Sequence, residues 1–314
     1  MKYRKLGNTG LDVSVISFGA SSLGSVFHPT DDREAERTVH TAFELGINYF
    51  DAAPYYGLLK AERVLGQALK SIPRDRYILS TKAGRYGEAD FDFSYDRILR
   101  SAEESMTRLH TDYLDILFLH DIEFGDRKQI VEEALPALEE LKKQGKIRFT
   151  GVSGLPLSVF RTVLEHQKVD AILSYCHYSL NDDALLDLLP LLRETGTALV
   201  NASPLSMGLL SGTEPPAWHP ANPFIREVCR EASTYCEQHG LSLPKLAIQF
   251  AVNHEEIPTT LVSTAEPEKI RRNIESALEP PDLKAIEAVR RVLQPIQRRS
   301  WPSGRPEYHT GVLT

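Results

Sequence analysis

Short apolar runs with few charges alternate along the chain with longer segments in which apolar residues recur at helical spacing. The runs are "VISFGAS" (15–21), "INYFDAA" (47–53), "YILSTKA" (77–83), "YLDILFLH" (113–120), "IRFTGVSG" (147–154), "DAILSYC" (170–176), "TALVNAS" (197–203) and "TTLVST" (259–264). Rich in Val, Ile, Leu and aromatic residues, they read as strands covered on both faces, the pattern of a parallel sheet. Helical patterns cover 31–45, 61–71, 94–109, 127–144, 156–166, 183–195 and 267–278, several opened by Asp, Ser or Pro and closed by a glycine such as Gly46, Gly145 or Gly196. Eight β-then-α units in one series predict an α/β fold of the closed (β/α)8 TIM-barrel type rather than an open doubly wound sheet.

Three segments stand outside the series. "YRKLGNTGLDVSVI" reads as an N-terminal β-hairpin turning at "NTG" and plugging the N-terminal end of the barrel. About 55 residues separate strands seven and eight, too long for one loop. There "PLSMGLLSGTEPPAWHPANP" is turn-rich, 224–252 reads as two helices around "GLSLP", and the second of them fills the seventh helix position. "PPDLKAIEAVRRVLQPI" adds a C-terminal helix before the Pro/Gly-rich tail "RRSWPSGRPEYHTGVLT". With no linker or low-complexity run, residues 1–314 read as one domain.

Composition narrows the function. A net charge of −7 argues against a phosphate-backbone binder, so no nucleic-acid partner is expected. No stretch is long and apolar enough to span a bilayer, and no apolar segment follows the basic N-terminus, so a soluble cytoplasmic protein is expected. The cysteines, Cys176, Cys229 and Cys236, are odd in number and form no disulfide framework. On one helix Cys229 and Cys236 would lie roughly 10 Å apart, too far to bridge.

In a barrel, residues at the C-terminal ends of the strands gather around one mouth. Asp51, Lys82 and His120 end strands two, three and four, and Tyr56 follows in the loop after strand two. Taken singly, such an Asp is commonly a cap, such a Tyr packing and such a His a satisfied core residue. A lysine aimed into the mouth is harder to explain, because an unpaired buried ammonium is costly. Asp51 is its natural counter-ion, and a cation beside Tyr56 favours the phenolate, lowering its pKa toward working pH. Together they predict a general acid–base site.

Asp51, Tyr56, Lys82 and His120, with spacings of 5, 26 and 38 residues, resemble the Asp-Tyr-Lys-His tetrad of the aldo-keto reductases. "LGNTGLDVSVISFGA", "GINYFDAAPYYG" and "ASPLSMGLLSG" are similar to that family's hairpin and first strand, second-strand signature and seventh-strand cofactor loop. Within the family, "FGASSLGSVF", "GRYGEADFDFS", "LHDIEFGD" and "LSYCHYSLNDDALLDLLP" look most like the L-galactose dehydrogenases of plant ascorbate synthesis, with L-fucose and other aldose 1-dehydrogenases next. The resemblance implies oxidation of an L-sugar at C1 to an aldonolactone, with Tyr56 as general base. It implies a small-molecule substrate and a monomer or small homo-oligomer.

The same resemblance assigns the cofactor side. Ser153 and Gly154 stand where the family has a Ser-Asn pair holding the nicotinamide amide, so the asparagine is replaced. Ser174 stands where many members have Gln, and Ala202 where some have a stacking aromatic ring. Ser203, Leu205, Met207 and Gly208 belong to the pyrophosphate loop; Ser263, Thr264, Lys269, Arg272 and Asn273 open the adenosine end, where a helix N-terminus favours anions. Ser263 replaces the lysine of NADP-preferring members, which favours NAD, while Lys269 and Arg272 leave NADP open. The mouth loops offer Leu23, Tyr55, Arg85, Tyr86, Asp121, Phe124, His177 and Trp218 as substrate contacts, and Trp301 as a lid over the mouth or a surface anchor.

Two other classes compete. A metal-dependent hydrolase would use His120, Asp121 and His177, but strand one lacks the histidines that such barrels carry there, and no metal is expected. A non-catalytic, cofactor-binding partner subunit, or a generic NADP-dependent reductase, shares the tetrad but not the sugar-dehydrogenase-like segments.

Overall fold

The computed structural model describes residues 1–306; the tail reading extends past them, and its last eight residues lie outside the described ones. The first pair of strands, β1 (Tyr3–Lys5) and β2 (Asp12–Ser14), is antiparallel, with Lys5 opposite Asp12. A 3-10 turn at Gly7–Thr9, closed by Gly10 at φ 76°, joins them. Gly7 seats this hairpin on the barrel base: a Cβ there would lie 2.7 Å from Ala198 Cα. Its apolar residues Leu6, Leu11 and Val13 are buried with Tyr49, Ile78, Ile116 and Phe118 inside the barrel, the predicted plug.

The eight predicted strands form as β3 (Ile16–Gly19), β4 (Tyr49–Asp51), β5 (Ile78–Ala83), β6 (Leu114–Leu119), β7 (Ile147–Gly154), β8 (Ala171–Tyr175), β9 (Ala198–Ala202) and β10 (Thr259–Val262). They are all parallel and close in chain order, β10 pairing with both β9 and β3. Burial on both faces accounts for their largely apolar character. Inside, Phe118 is accommodated by Gly151 on the neighbouring strand, where a Cβ would come within 2.4 Å of its ring.

The outer layer is α1 (Asp32–Glu44), α2 (Lys60–Leu69), α3 (Tyr95–Leu109), α4 (Arg127–Gln129), α5 (Leu135–Lys143), α6 (Leu157–His166), α7 (Leu189–Thr195), α8 (Pro223–Gln238), α9 (Leu243–Asn253), α10 (Pro267–Leu278) and α11 (Leu283–Val292). Asp31, Asn222, Ser242 and Asp282 cap α1, α8, α9 and α11 through side-chain oxygens that accept backbone N–H groups three residues on. Two predicted helices are less regular than their periodicity suggests. A π turn at Ile130–Ala134 joins α4 to α5, and the 183–195 segment starts as a 3-10 turn.

Between β9 and β10, α9 packs on α10 and takes the seventh helix position, while α8 and α11 bury a second apolar cluster with Cys229, Cys236 and Trp301. Trp301 is neither a free lid nor a surface anchor. Its ring meets His219 edge-on at 4.8 Å and is 9% exposed. The three thiols are free and buried, and burial pushes Cys229 up to about 12. Among the described residues no helix is long and apolar enough to cross a membrane.

Candidate active site

Strand register assembles the mouth. Asp51 lies opposite Ser80 on β5, and Lys82, two residues on, shares the face of Ser80. Both side chains therefore meet Asp51: Lys82 pairs with Oδ1 and Ser80 Oγ donates to Oδ2 at 2.6 Å. Lys82 also donates to Ala52 O at 2.8 Å, and Tyr49 Oη lies 2.9 Å from Ser80 Oγ. His120 follows β6, its backbone N–H donating to Ala83 O at 2.8 Å.

The turn after Asp51 aims Tyr56 at this pair. Tyr56 N–H donates to Ala53 O at 3.2 Å and Leu59 N–H to Pro54 O at 2.8 Å. Gly57, Leu58 and Leu59 all have positive φ, a conformation that is strained for the two leucines. The turn is wedged against the segment after β3, where a Cβ on Gly24 would lie 2.6 Å from the Tyr56 carbonyl carbon. The Tyr56 ring stands 4.9 Å from Lys82 Nζ and perpendicular to the His120 ring at 5.6 Å. All four predicted acid–base residues thus converge.

Their electrostatics correct one expectation. Burial pushes the Tyr56 phenol above its ordinary value, Lys82 opposes this, and Asp51 and Asp121 reinforce it; the net direction is up, not down. Burial would lower the Lys82 ammonium, but Asp51 and then Tyr56 outweigh it, so the lysine stays charged. Burial lowers the His120 imidazole to about 3 against the opposing Asp121, so across neutral pH it is an uncharged hydrogen-bonding group.

One wall of the mouth is built from predicted substrate residues. Arg85 Nη1 donates to Asp121 Oδ2 at 2.5 Å, and its guanidinium lies 3.8 Å from the Tyr55 ring centre. Asp121 Oδ2 is also 3.6 Å from His120 Nε2. Phe124 stacks on Phe91 at 4.6 Å, and Arg85 lies within 5.4 Å of both rings. Trp218 reaches Phe27 of the first mouth loop at 5.7 Å.

Three predicted contacts are placed otherwise. Leu23 is fully buried in the main core, because the 3-10 turn Ala20–Gly24 rotates it inward. Tyr86 Oη accepts Gly84 N–H at 3.0 Å, and its ring carries Arg97 of α3 at 3.7 Å. His177 is held by Asp182 at 2.9 Å.

On the cofactor side, Ser153, Gly154 and Ser174 stand side by side, Gly154 opposite Ser174. Ser153 Oγ donates to Leu119 O at 3.2 Å and accepts Asp121 N–H at 3.3 Å, whereas Ser174 Oγ is buried without a partner among the described residues. The 203–208 loop is held by left-handed residues, Ser203, Ser206, Met207 and Gly208, and the amides of Ser206, Gly208 and Leu210 bond within it to Ser203 and Leu205 carbonyls. Ser263 Oγ accepts Ser22 N–H at 2.8 Å, tying β10 to the segment that braces Tyr56. Thr264 Oγ1 accepts Glu266 N–H at 3.2 Å. Lys269 pairs with Glu266 at 2.6 Å, Arg272 is exposed and Asn273 half-buried.

The Aldo/keto reductase family profile matches residues 15–292, which include the whole constellation. The chain belongs to the aldo/keto reductase family. It is 47% identical to the L-galactose dehydrogenase of Arabidopsis thaliana, covering 97% of this chain and 98% of that one. The D-arabinose 1-dehydrogenase of Saccharomyces cerevisiae is 37% identical, over 77% of this chain and 76% of its own. The holo form of an aldo-keto reductase from Bacillus halodurans superposes with a TM-score of 0.76 at 27% identity, covering 98% and 99% of the two chains. This aldo/keto reductase is therefore a nicotinamide-dependent oxidoreductase acting on small molecules.

Sequence reading missed several residues of this family member's mouth. Ser80, Phe27 and Phe91 carried no signal beyond their strand or loop. Glu123 looked like an ordinary loop acid, yet it is buried beside Gly154, where a Cβ would meet its Oε2 at 2.7 Å. An asparagine at 154 would collide with it. The bracing role of Gly24 gives a test: Gly24→Ala must displace the Tyr56 turn and is expected to lower kcat at least tenfold with the fold retained, measured by steady-state kinetics beside circular dichroism.

Proposed function

We propose that this enzyme oxidises an L-sugar, L-galactose foremost, at C1 to its lactone with NAD, the chemistry of the ascorbate-forming route. The observation that carries this reading is the 47% identity with an L-galactose dehydrogenase over almost the whole of both chains. The wall of Tyr55, Arg85, Asp121 and Phe124 supports it, since aromatic faces beside a charged pair suit a polyhydroxylated ring.

The residues divide the work. Tyr56 Oη takes the proton of the C1 hydroxyl, and Lys82, held charged by Asp51, stabilises the phenolate that receives it. Neutral His120 orients the reacting oxygen by a hydrogen bond. When bound, NAD supplies the acceptor for the hydride leaving C1. Ser174 Oγ, buried and unpartnered at the strand end beside Gly154, fits the polar amide of a nicotinamide. At the adenosine end, Glu266 neutralises Lys269 and Ser263 supplies no charge, which favours NAD over NADP.

Initial rates with L-galactose, L-fucose, L-gulose and D-arabinose, under NAD and under NADP, test this. The highest kcat/KM is expected for L-galactose with NAD, at least tenfold above D-arabinose. A preference for D-arabinose, or for NADP, would sink the assignment.

A further inference from the structure

The tail of the enzyme reaches the mouth through one carboxyl. Glu123, 4% exposed, accepts Leu155 N–H at 3.0 Å and Ser303 Oγ–H at 2.8 Å through the same oxygen, Oε1. Its Oε2 is buried without a partner among the described residues. Arg305 N–H donates to Glu123 O at 3.2 Å, and Gly304, at φ 94°, lies so close that a Cβ would sit 2.6 Å from that oxygen. The Arg305 guanidinium lies 5.8 Å from the Phe91 ring, which stacks on Phe124. Three consecutive tail residues thus fasten onto the loop that presents Asp121 and Phe124 to the mouth.

We infer that Glu123 is a positioning residue for the reaction: its carboxyl, through Ser303 Oγ, and its main-chain carbonyl, through Arg305 N–H, clamp Ser303–Arg305 onto the 121–124 loop and so hold Asp121 and Phe124 where the sugar docks. The inference rests on the sugar site proposed above. The clamp works with a neutral carboxyl. Burial first, then Asp121, pushes Glu123 from the usual carboxylate value up to about 8. The charged or titratable groups around it are Asp121 on its own loop, Tyr175 at the end of β8, His177 in the cavity it shares with Ser303, Arg305 on the tail, and Arg85, whose charge Asp121 takes up. Because the docked value is raised, the proton's contribution is complete below the ordinary carboxylate range and declines as pH rises to about 8.

Hydrogen–deuterium exchange of residues 301–306 in the full-length enzyme, corrected for intrinsic exchange, measures the clamp without substrate. Protection is expected to fall several-fold between pH 6 and 8 and level off above. In Glu123→Gln, whose amide oxygen accepts the same two donors with no titration, it should stay flat. Glu123→Ala, which keeps the main-chain bond to Arg305 but loses the bond to Ser303, should lower the protection at every pH and raise KM for the sugar at least fivefold, with kcat within about twofold; Glu123→Gln should restore KM. Ser303→Ala, which cannot disturb the core, should raise KM in the same direction. An unaltered tail in Glu123→Ala, or a pH-dependent loss of protection as large in Glu123→Gln, would overturn the clamp. If the wild type turned over no sugar, the functional reading would fail while the exchange data still decided the clamp.

Discussion

Tyr56→Phe is expected to lower kcat for sugar oxidation by about 10³-fold, within the range that a positioned general base contributes. The phenylalanine keeps the ring that stands edge-on to His120 and against Lys82, and removes only the oxygen proposed to receive the substrate proton. NAD affinity, read by quenching of protein fluorescence, should change less than twofold, since the hydroxyl acts on the sugar and not on the cofactor. The melting temperature should hold within a degree or two. Retention of even a tenth of wild-type kcat would mean that another group takes the proton.

The barrel was legible because its strands advertise themselves. A strand covered by helices outside and side chains inside has no solvent face, so β5 and β6 read as runs with few charges, with Lys82 near the end of one and His120 just past the end of the other. The same geometry made those ends readable, since in a closed barrel the last residue of each strand faces one shared space. The hairpin plug was legible for a similar reason: Leu6, Leu11 and Val13 had no other core to join.

Burial was not legible, and it decides the finer chemistry. The sequence shows a cation near Tyr56 and suggests a lowered phenol; the structure shows the ring enclosed with Asp51 and Asp121 nearby, so the sign reverses. Glu123 was invisible because its partner Ser303 lies 180 residues away. Leu23 and Tyr86 were misplaced by local turns, a 3-10 segment in one case and a hydroxyl captured by Gly84 in the other. Loop residues point where backbone hydrogen bonds send them, and spacing alone does not encode that direction.

The raised phenol leads to the second large effect. In the proposed mechanism proton abstraction needs the Tyr56 phenolate, so kcat/KM for sugar oxidation should climb with pH through the neutral and mildly alkaline range, because Tyr56 titrates above its ordinary value. Lys82→Met removes the strongest influence opposing that shift and leaves burial and Asp121 unopposed, so the ascending limb should move to higher pH and the rate at pH 8 should fall 10²-fold or more. The variant also strips Asp51 of its ion-pair partner, and a buried carboxylate left alone costs about 3–5 kcal/mol. Burial already pushes Asp51 upward, so without Lys82 it takes up a proton and part of this cost becomes pH-dependent, with stability falling as pH rises. The double variant Asp51→Asn/Lys82→Met separates the two consequences. It restores most of the melting temperature, because Asn keeps an acceptor for Ser80 and carries no charge, yet it leaves the rate as low as in Lys82→Met. Recovery of activity together with stability in the double variant would show that Lys82 serves the fold alone, and that the pH dependence of the phenol does not depend on its ammonium.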